Sequence, residues 1–248
     1  MGAYADVLNH VFNAVFTSGD TTVDFSMTQL RNAATELGLE IRNPPDIIAH
    51  FRSRNDLPTE ITTHGNWVLE SVSRGNYRLS RINANPYFEI NYESYEQVTL
   101  DIDEDILQYI GSDEQAYISL MHHSGALARF FDVERHNVKH LQNHFKTNVN
   151  RVQMEADDFN LLVFDERDIL VGIEAKGVSR VERLNRVQQQ QIRLLISTLF
   201  PNNGMRIMGL KGMDNRNFAL VEFSNEDIET MSPTRGMRIR LNPVNLRP

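Results

Sequence analysis

Residues 151–177, RVQMEADDFNLLVFDERDILVGIEAKG, hold two apolar-rich runs, 152–164 and 169–175, joined by the charged segment 165–168. Two such runs around a short polar turn predict a β-hairpin. The turn lacks glycine, so a loop of about four residues is expected in place of a two-residue primed turn. Side chains alternate across a strand, which puts Gln153, Glu155 and Asp157 on one face of the first strand and Asp158 on the other. In the second strand Glu174 and Lys176 share a face. Carboxylates and a lysine at the ends of mostly apolar strands are costly to bury unless something pairs with them. A divalent cation is the simplest partner, because hard cations take carboxylate oxygens and magnesium usually combines one or two of them with substrate phosphate.

The rest of the chain sets the frame for that cluster. At 248 residues there is room for one large domain or two small ones. The absence of cysteine excludes disulfides and thiolate metal sites, and fits a reducing compartment. No apolar run approaches the ~18 residues of a membrane span, and the N-terminal MGAYADVLNHVFNAVF lacks the basic region of a secretory signal. A cytoplasmic protein without a membrane partner is therefore expected. The net charge of −8 argues mildly against nucleic acid, but its distribution is uneven. Residues 89–114 carry nine acidic side chains and no lysine or arginine, whereas residues 176–216 carry eight basic side chains against two acidic ones. An acidic protein with a local basic face can still hold DNA.

In the N-terminal part, helical spacing covers 3–17, a short strand covers 21–25, and Ser26 caps a helix over 27–37 that Gly38 ends. Asn43-Pro44-Pro45 opens a third helix over 46–54, and strands near 67–72 and 77–82 flank a turn at 73–76. Three short helices followed by a β-hairpin resemble a winged-helix domain, in which the third helix enters the major groove. That resemblance implies that His50, Arg52 and Arg54 face DNA, with Arg74, Asn76 and Arg78 on or near the wing. The alternative is a small α+β domain whose arginines are merely solvated. Residues 31–81 hold seven arginines and six acids, so local charge does not choose between them. Residues 83–112 read as an acidic linker region with one strand near 98–102.

From residue 113 the expected order is a helix, a second helix over 133–145, the hairpin, a long helix over 183–200 stopped by Pro201, and strands at 205–210 and 218–223. A central mixed sheet flanked by helices satisfies that order. The fold class expected is thus mixed α/β: a winged-helix-like α+β domain over 1–85, the acidic linker 86–112, and a second domain over 113–248.

The runs LQNHFKTNV (141–149), VQMEADDF (152–159), IEAKG (173–177), RLNRVQQQQ (183–191) and ALVEF (219–223) together resemble the PD-(D/E)xK restriction-endonuclease-like nucleases. The resemblance covers roughly the last half of the chain. Glu-x-Lys alone is a weak signal; an aspartate seventeen residues before the glutamate at the start of the preceding strand, and a glutamine-bearing helix after it, strengthen it. The resemblance implies that Asp157 and Glu174 bind the metal, with the backbone carbonyl of Ala175 as a further ligand. Lys176 would orient or deprotonate the attacking water and offset charge in the transition state. Ala156 stands where the family has proline. Glu155 is open to two roles, binding a second metal ion or holding Lys176. Gln188 and Gln191 share one helix face and would reach a phosphate or Lys176, or else be ordinary outer residues. Arg180, Arg183 and Arg186 would track the phosphate backbone. The activity implied is Mg2+-dependent hydrolysis of double-stranded DNA, with Mn2+ able to substitute, by a type II restriction endonuclease acting as a homodimer. Its rivals are a repair or modification-dependent nuclease, a DNA-binding regulator with an inactive nuclease-like fold, and a protein-interaction module.

His136, His140 and His144 fall four apart on the helix expected over 133–145, so adjacent pairs could bind zinc. There is no His-Glu-x-x-His pattern, and His122-His123 shows no partner in sequence, which favours solvated or capping histidines.

Overall fold

The computed structural model describes residues 2–83, 86–149, 152–164, 167–178, 183–224, 227, 233 and 235–245. It is a mixed α/β protein, with 35% of the described residues helical and 38% in strands. The chain divides into two compact units, Met1–Pro86 with Asn148–Gln153, and Tyr87–Thr147 with Met154–Pro248.

The N-terminal unit begins with helix α1 (Ala3–Val15), strand β1 (Thr22–Ser26) and helix α2 (Met27–Glu36). Ser26 and Gln29 form a reciprocal capping box, which satisfies two amide donors at the start of α2. Gly38, at φ +66°, carries the left-handed turn after it. Helix α3 (Pro45–Ala49) continues as a single π-helical turn (His50–Arg54), so the helix expected over 46–54 ends in a widened turn. After the short α4 (Thr59–Thr62), β2 (Asn66–Ser73) and β3 (Asn76–Ile82) form a hairpin. The antiparallel sheet has the order β1-β3-β2. Leu8, Phe12, Leu30, Ile47, Trp67 and Leu79 fill the core between this sheet and the helices.

The second unit is built on a seven-stranded sheet of order β4-β10-β9-β8-β7-β6-β5. Its strands are β4 (Gln97–Asp103), β5 (Val138–Val149), β6 (Val152–Leu162), β7 (Ile169–Lys176), β8 (Gly204–Asp214), β9 (Asn217–Glu222) and β10 (Arg235–Val244). Helices α5 (Glu104–Tyr109), α6 (Glu114–Ser124) and α7 (Ala126–Phe131) follow β4, and α8 (Arg186–Leu199) lies in the crossover between the parallel strands β7 and β8. Ile173, Ala175, Leu210 and Phe218 pack against Tyr117, Leu120 and Met121 of α6 on one sheet face. The other face of β7 receives α8: a Cβ on Gly172 would stand 2.3 Å from Ile192 Cγ2. Glycine there lets the helix close directly onto the strand.

Three expectations are corrected. The helix expected over 133–145 is instead a 3-10 turn and the edge strand β5. Asp132, in the left-handed region at φ 55°, ends α7, and β5 pairs with β6. β5 is polar and exposed over most of its length, so apolar alternation could not announce it. Residues 86–112 are not a plain linker, because β4 pairs in parallel with β10, from Arg238↔Gln97 to Val244↔Asp103. Finally, the long helix starts at Arg186, capped by Asn185, and not at 183. Among the described residues no helix is long and apolar enough to cross a membrane.

Candidate functional site

The hairpin β6–β7 pairs from Leu162↔Ile169 to Asp158↔Ile173. Alternation from that register puts Asp157 on the same sheet face as Glu174, Lys176 and Gly172, the face that α8 covers, and Asp157, Glu174 and Lys176 are close enough there to act on one another electrostatically. Asp158, opposite Ile173, belongs to the α6 face. Beyond Asp158 the Asp157 side chain takes over a strand-to-strand bond: its Oδ2 accepts the Ala175 N–H at 2.8 Å. The N–H and C=O of one strand residue point to the same side, so the Ala175 carbonyl also faces the edge where Asp157 lies.

Glu174 and Lys176 are each 3% exposed. Lys176 Nζ donates to Glu174 Oε1 at 2.6 Å and lies 3.6 Å from Glu114 Oε1 at the start of α6. Gln188, in the first turn of α8, donates its side-chain amide to the same Glu174 Oε1. Asn185 fixes Gln188 from both ends, accepting its backbone N–H at 2.9 Å and donating to its Oε1 at 2.5 Å. Both described bonds to Glu174 thus use one oxygen, and the described bond to Asp157 uses Oδ2.

Burial dominates the electrostatics. It pushes Glu174 up to about 8, with Lys176 pulling the other way and Asp157 adding to the rise. It also raises Asp157, against the lowering effects of Lys176 and the Ala175 N–H. For Lys176 burial alone would favour the neutral amine, but Glu174, Glu114 and Asp157 outweigh it and hold the ammonium form. Two carboxylates that resist ionisation side by side form a place where added positive charge is favourable. The donor set is entirely oxygen, which suits magnesium or manganese.

The other predicted residues are distributed as follows. Glu155 makes its described ion pair with Lys146, at 3.1 Å. Gln191 is half-buried on α8. Arg186 is the first residue of α8, and the Arg183 guanidinium stacks 4.0 Å above the ring of Tyr87. Arg180 and the Arg54 side chain lie outside the described residues. Arg52 belongs to the N-terminal unit, where it is half-buried and donates to Ser71 Oγ at 3.3 Å, bracing the π-helical turn against β2. Arg74 is exposed in the β2–β3 turn. Arg78 makes an ion pair with Asp24 across the sheet.

Comparison with protein-family models, with curated proteins and with solved structures gives no match. The chemistry of the cluster therefore rests on its own geometry.

Two sets of residues escaped the sequence reading. Glu114 is the last of the acidic run over 89–114, and only the fold brings it beside Lys176. His122, His140 and Asp158 come from α6, β5 and β6, and their ligand atoms lie within 4.8 Å of one another. The helix expected over 133–145 grouped His140 with His136 and His144 instead.

Proposed function

We propose that this protein is a metal-dependent endonuclease that hydrolyses phosphodiester bonds of double-stranded DNA, and that its role is that of a type II restriction endonuclease. The observation that carries the reading is the meeting of Asp157, Glu174 and Lys176 on one face of adjacent strands, beneath α8. A bound Mg2+ or Mn2+ would supply a water of lowered pKa and polarise the scissile phosphate. Asp157, Glu174 and the Ala175 carbonyl are the groups that would hold it. Lys176, kept as an ammonium by its acidic neighbours, offsets negative charge on the phosphate in the transition state and orients the attacking water. Gln188 keeps Glu174 in place, so its role is positioning. Arg183 and Arg186 lie next to this helix start and suit phosphate contacts.

The N-terminal unit supports a DNA-reading role through its order of elements, α1-β1-α2-α3-α4 followed by the β2–β3 hairpin, which resembles a winged helix. In that reading Arg74 is the better placed basic residue at the wing, because Arg52 is engaged with β2 and Arg78 with Asp24. Cutting both strands at a symmetric site calls for two related active sites, and hence a homodimer.

Methylated and unmethylated plasmids incubated with the protein in Mg2+ or EDTA test the reading. Discrete Mg2+-dependent fragments that disappear in Lys176→Ala are expected. Binding of DNA without cleavage in Mg2+ or Mn2+ defeats the enzyme reading. Cleavage of methylated DNA alone replaces the restriction role by a modification-dependent one.

A further inference from the structure

On the opposite face of the sheet from the Asp157–Glu174 pair, Asp158 is a fully buried carboxylate between two imidazoles. Its Oδ2 lies 2.8 Å from His122 Nε2 and accepts Asn160 Nδ2 at 2.7 Å. Its Oδ1 lies 3.0 Å from His140 Nε2, yet among the described residues it has no aligned hydrogen-bond donor. The reason is local: His140 Nε2 is aligned with Asn143 Oδ1 at 2.7 Å, and one ring proton cannot serve both oxygens. The two imidazole rings stand 4.7 Å apart at 63°, with both Nε2 atoms turned toward the carboxylate. A cavity of about 170 Å³ opens beside them, with Gly125, Arg135, His122 and His140 among its walls. The Arg135 guanidinium is occupied by the main-chain carbonyls of His122 and His123.

We infer that His122, His140 and Asp158 form a transition-metal site, for zinc or a similar divalent ion, that fastens α6 to the β5–β6 strands. The chemistry of the three donors differs from that of the all-oxygen cluster: two neutral imidazoles and one carboxylate suit zinc, whereas magnesium seeks oxygen. Zinc bonds of about 2.0–2.1 Å at tetrahedral angles place neighbouring ligand atoms roughly 3.3 Å apart; here His140 Nε2 stands 3.0 Å from Asp158 Oδ1, and one ligand atom from each of the three residues lies within 4.8 Å of the others. The ion supplies the positive charge that the buried Asp158 Oδ1 lacks. It takes the place of the His140–Asn143 hydrogen bond, and the adjoining cavity leaves room for water as a fourth ligand. Asn160 then acts as an outer partner that orients the carboxylate. Because Asp158 is adjacent to Asp157 in β6, the ion also steadies the strand that carries the proposed catalytic aspartate.

The test uses the untagged full chain, stripped of metal and kept in Mg2+ so that the oxygen site is competed. Zn2+ titration followed by thermal unfolding and metal analysis is expected to give one tightly held equivalent and a raised midpoint. Co2+ in its place is expected to give the intense visible absorption of a four-coordinate ion. His140→Ala, on an exposed edge strand, and Asp158→Asn, which keeps the side-chain shape, are expected to weaken Zn2+ binding by on the order of 100-fold or more, since even outer-partner losses reach that range. Asp157→Asn is expected to retain the Zn2+ response, which separates this site from the proposed catalytic one. A midpoint that does not respond to Zn2+, or equal Zn2+ affinity in the parent, His140→Ala and Asp158→Asn, overturns the inference in favour of a simple histidine–aspartate ion cluster.

Discussion

Asp157 Oδ2 accepts the backbone N–H of Ala175 at 2.8 Å, so one side chain both ties β6 to β7 and offers a carboxylate at the proposed metal site. Two substitutions separate these tasks. Asp157→Asn keeps an oxygen that can accept from Ala175 and removes the charge. Asp157→Ala removes both and leaves the amide without its partner, which costs about 1–3 kcal/mol. The expected result is near-parental unfolding for Asp157→Asn with Mg2+-dependent cleavage abolished, and lowered stability as well for Asp157→Ala. Denaturant unfolding and plasmid cleavage measured on the same preparations decide it; retained cleavage in Asp157→Asn removes this residue from the site.

Lys176 and Glu174 share a 2.6 Å ion pair at 3% exposure. Removing one partner from such a pair leaves the other buried without it, whereas replacing both is often neutral or stabilising. Without Lys176 the buried Glu174, already pushed up to about 8, takes up a proton. Lys176→Met is therefore expected to lower stability by about 1–3 kcal/mol, the cost of an unpartnered buried polar group, and adding Glu174→Gln to restore most of it. Both variants are expected to lose cleavage. General acid–base and orienting groups contribute about 10²–10⁴-fold, so a residual rate above one-tenth of the parent's in Lys176→Met would argue against the role assigned to the lysine. A strictly additive double-mutant cycle would argue against the coupling.

Gly172 faces α8, and a Cβ there would meet Ile192 Cγ2 at 2.3 Å and Ile196 Cδ1 at 3.2 Å. Overpacking of a tight contact costs about 1–3 kcal/mol. Gly172→Ala is expected to destabilise by that amount, and adding Ile192→Val is expected to recover none of the loss, because valine keeps the Cγ2 methyl that makes the closest approach. Because the same helix holds Gln188 against Glu174, cleavage is expected to fall with it. Unchanged unfolding in Gly172→Ala would mean that α8 can shift away from the strand at no cost.

Local signals made some of these features legible and others not. Ser26 with Gln29, Gly38 and the Pro44-Pro45 pair carry their helix boundaries in the sequence, because caps and prolines act on their own neighbours. The alternation that separates Asp157 from Asp158 is equally local, and the β6–β7 register places them on opposite sheet faces. β10 was not legible. It carries five arginine, asparagine or proline positions among its apolar ones, and its parallel partner β4 lies about 140 residues away. The His122–His140–Asp158 cluster failed to register for the same reason. Three elements contribute one residue each, and the only histidine spacing visible along the chain suggested a helix where the sheet needed an edge strand.

Asp24 and Arg78 face each other in the β1–β3 register and make two hydrogen bonds, at 2.7 and 2.9 Å. The bond from Arg78 holds the Asp24 carboxyl below the ordinary carboxylate range, against a small opposing effect of burial. A carboxyl whose folded value lies below its unfolded value stabilises the fold above the unfolded value. That contribution is lost as pH falls through the lowered folded value. The side chains are 41% and 58% exposed, so solvent screening keeps the effect small. Asp24→Asn is expected to be slightly less stable than the parent near neutrality, and the two are expected to converge in acid once Asp24 is protonated in both states. At about 1 M salt, where the Debye length is roughly 3 Å, the neutral-pH difference is expected to shrink. Chemical unfolding of the two proteins between pH 2 and pH 7 measures it (pH limits of about 2 and 7 bracket the carboxylate range). A gap that stays constant down to the acid end would show that the substitution acts through packing or the unfolded chain, with no contribution from the charge.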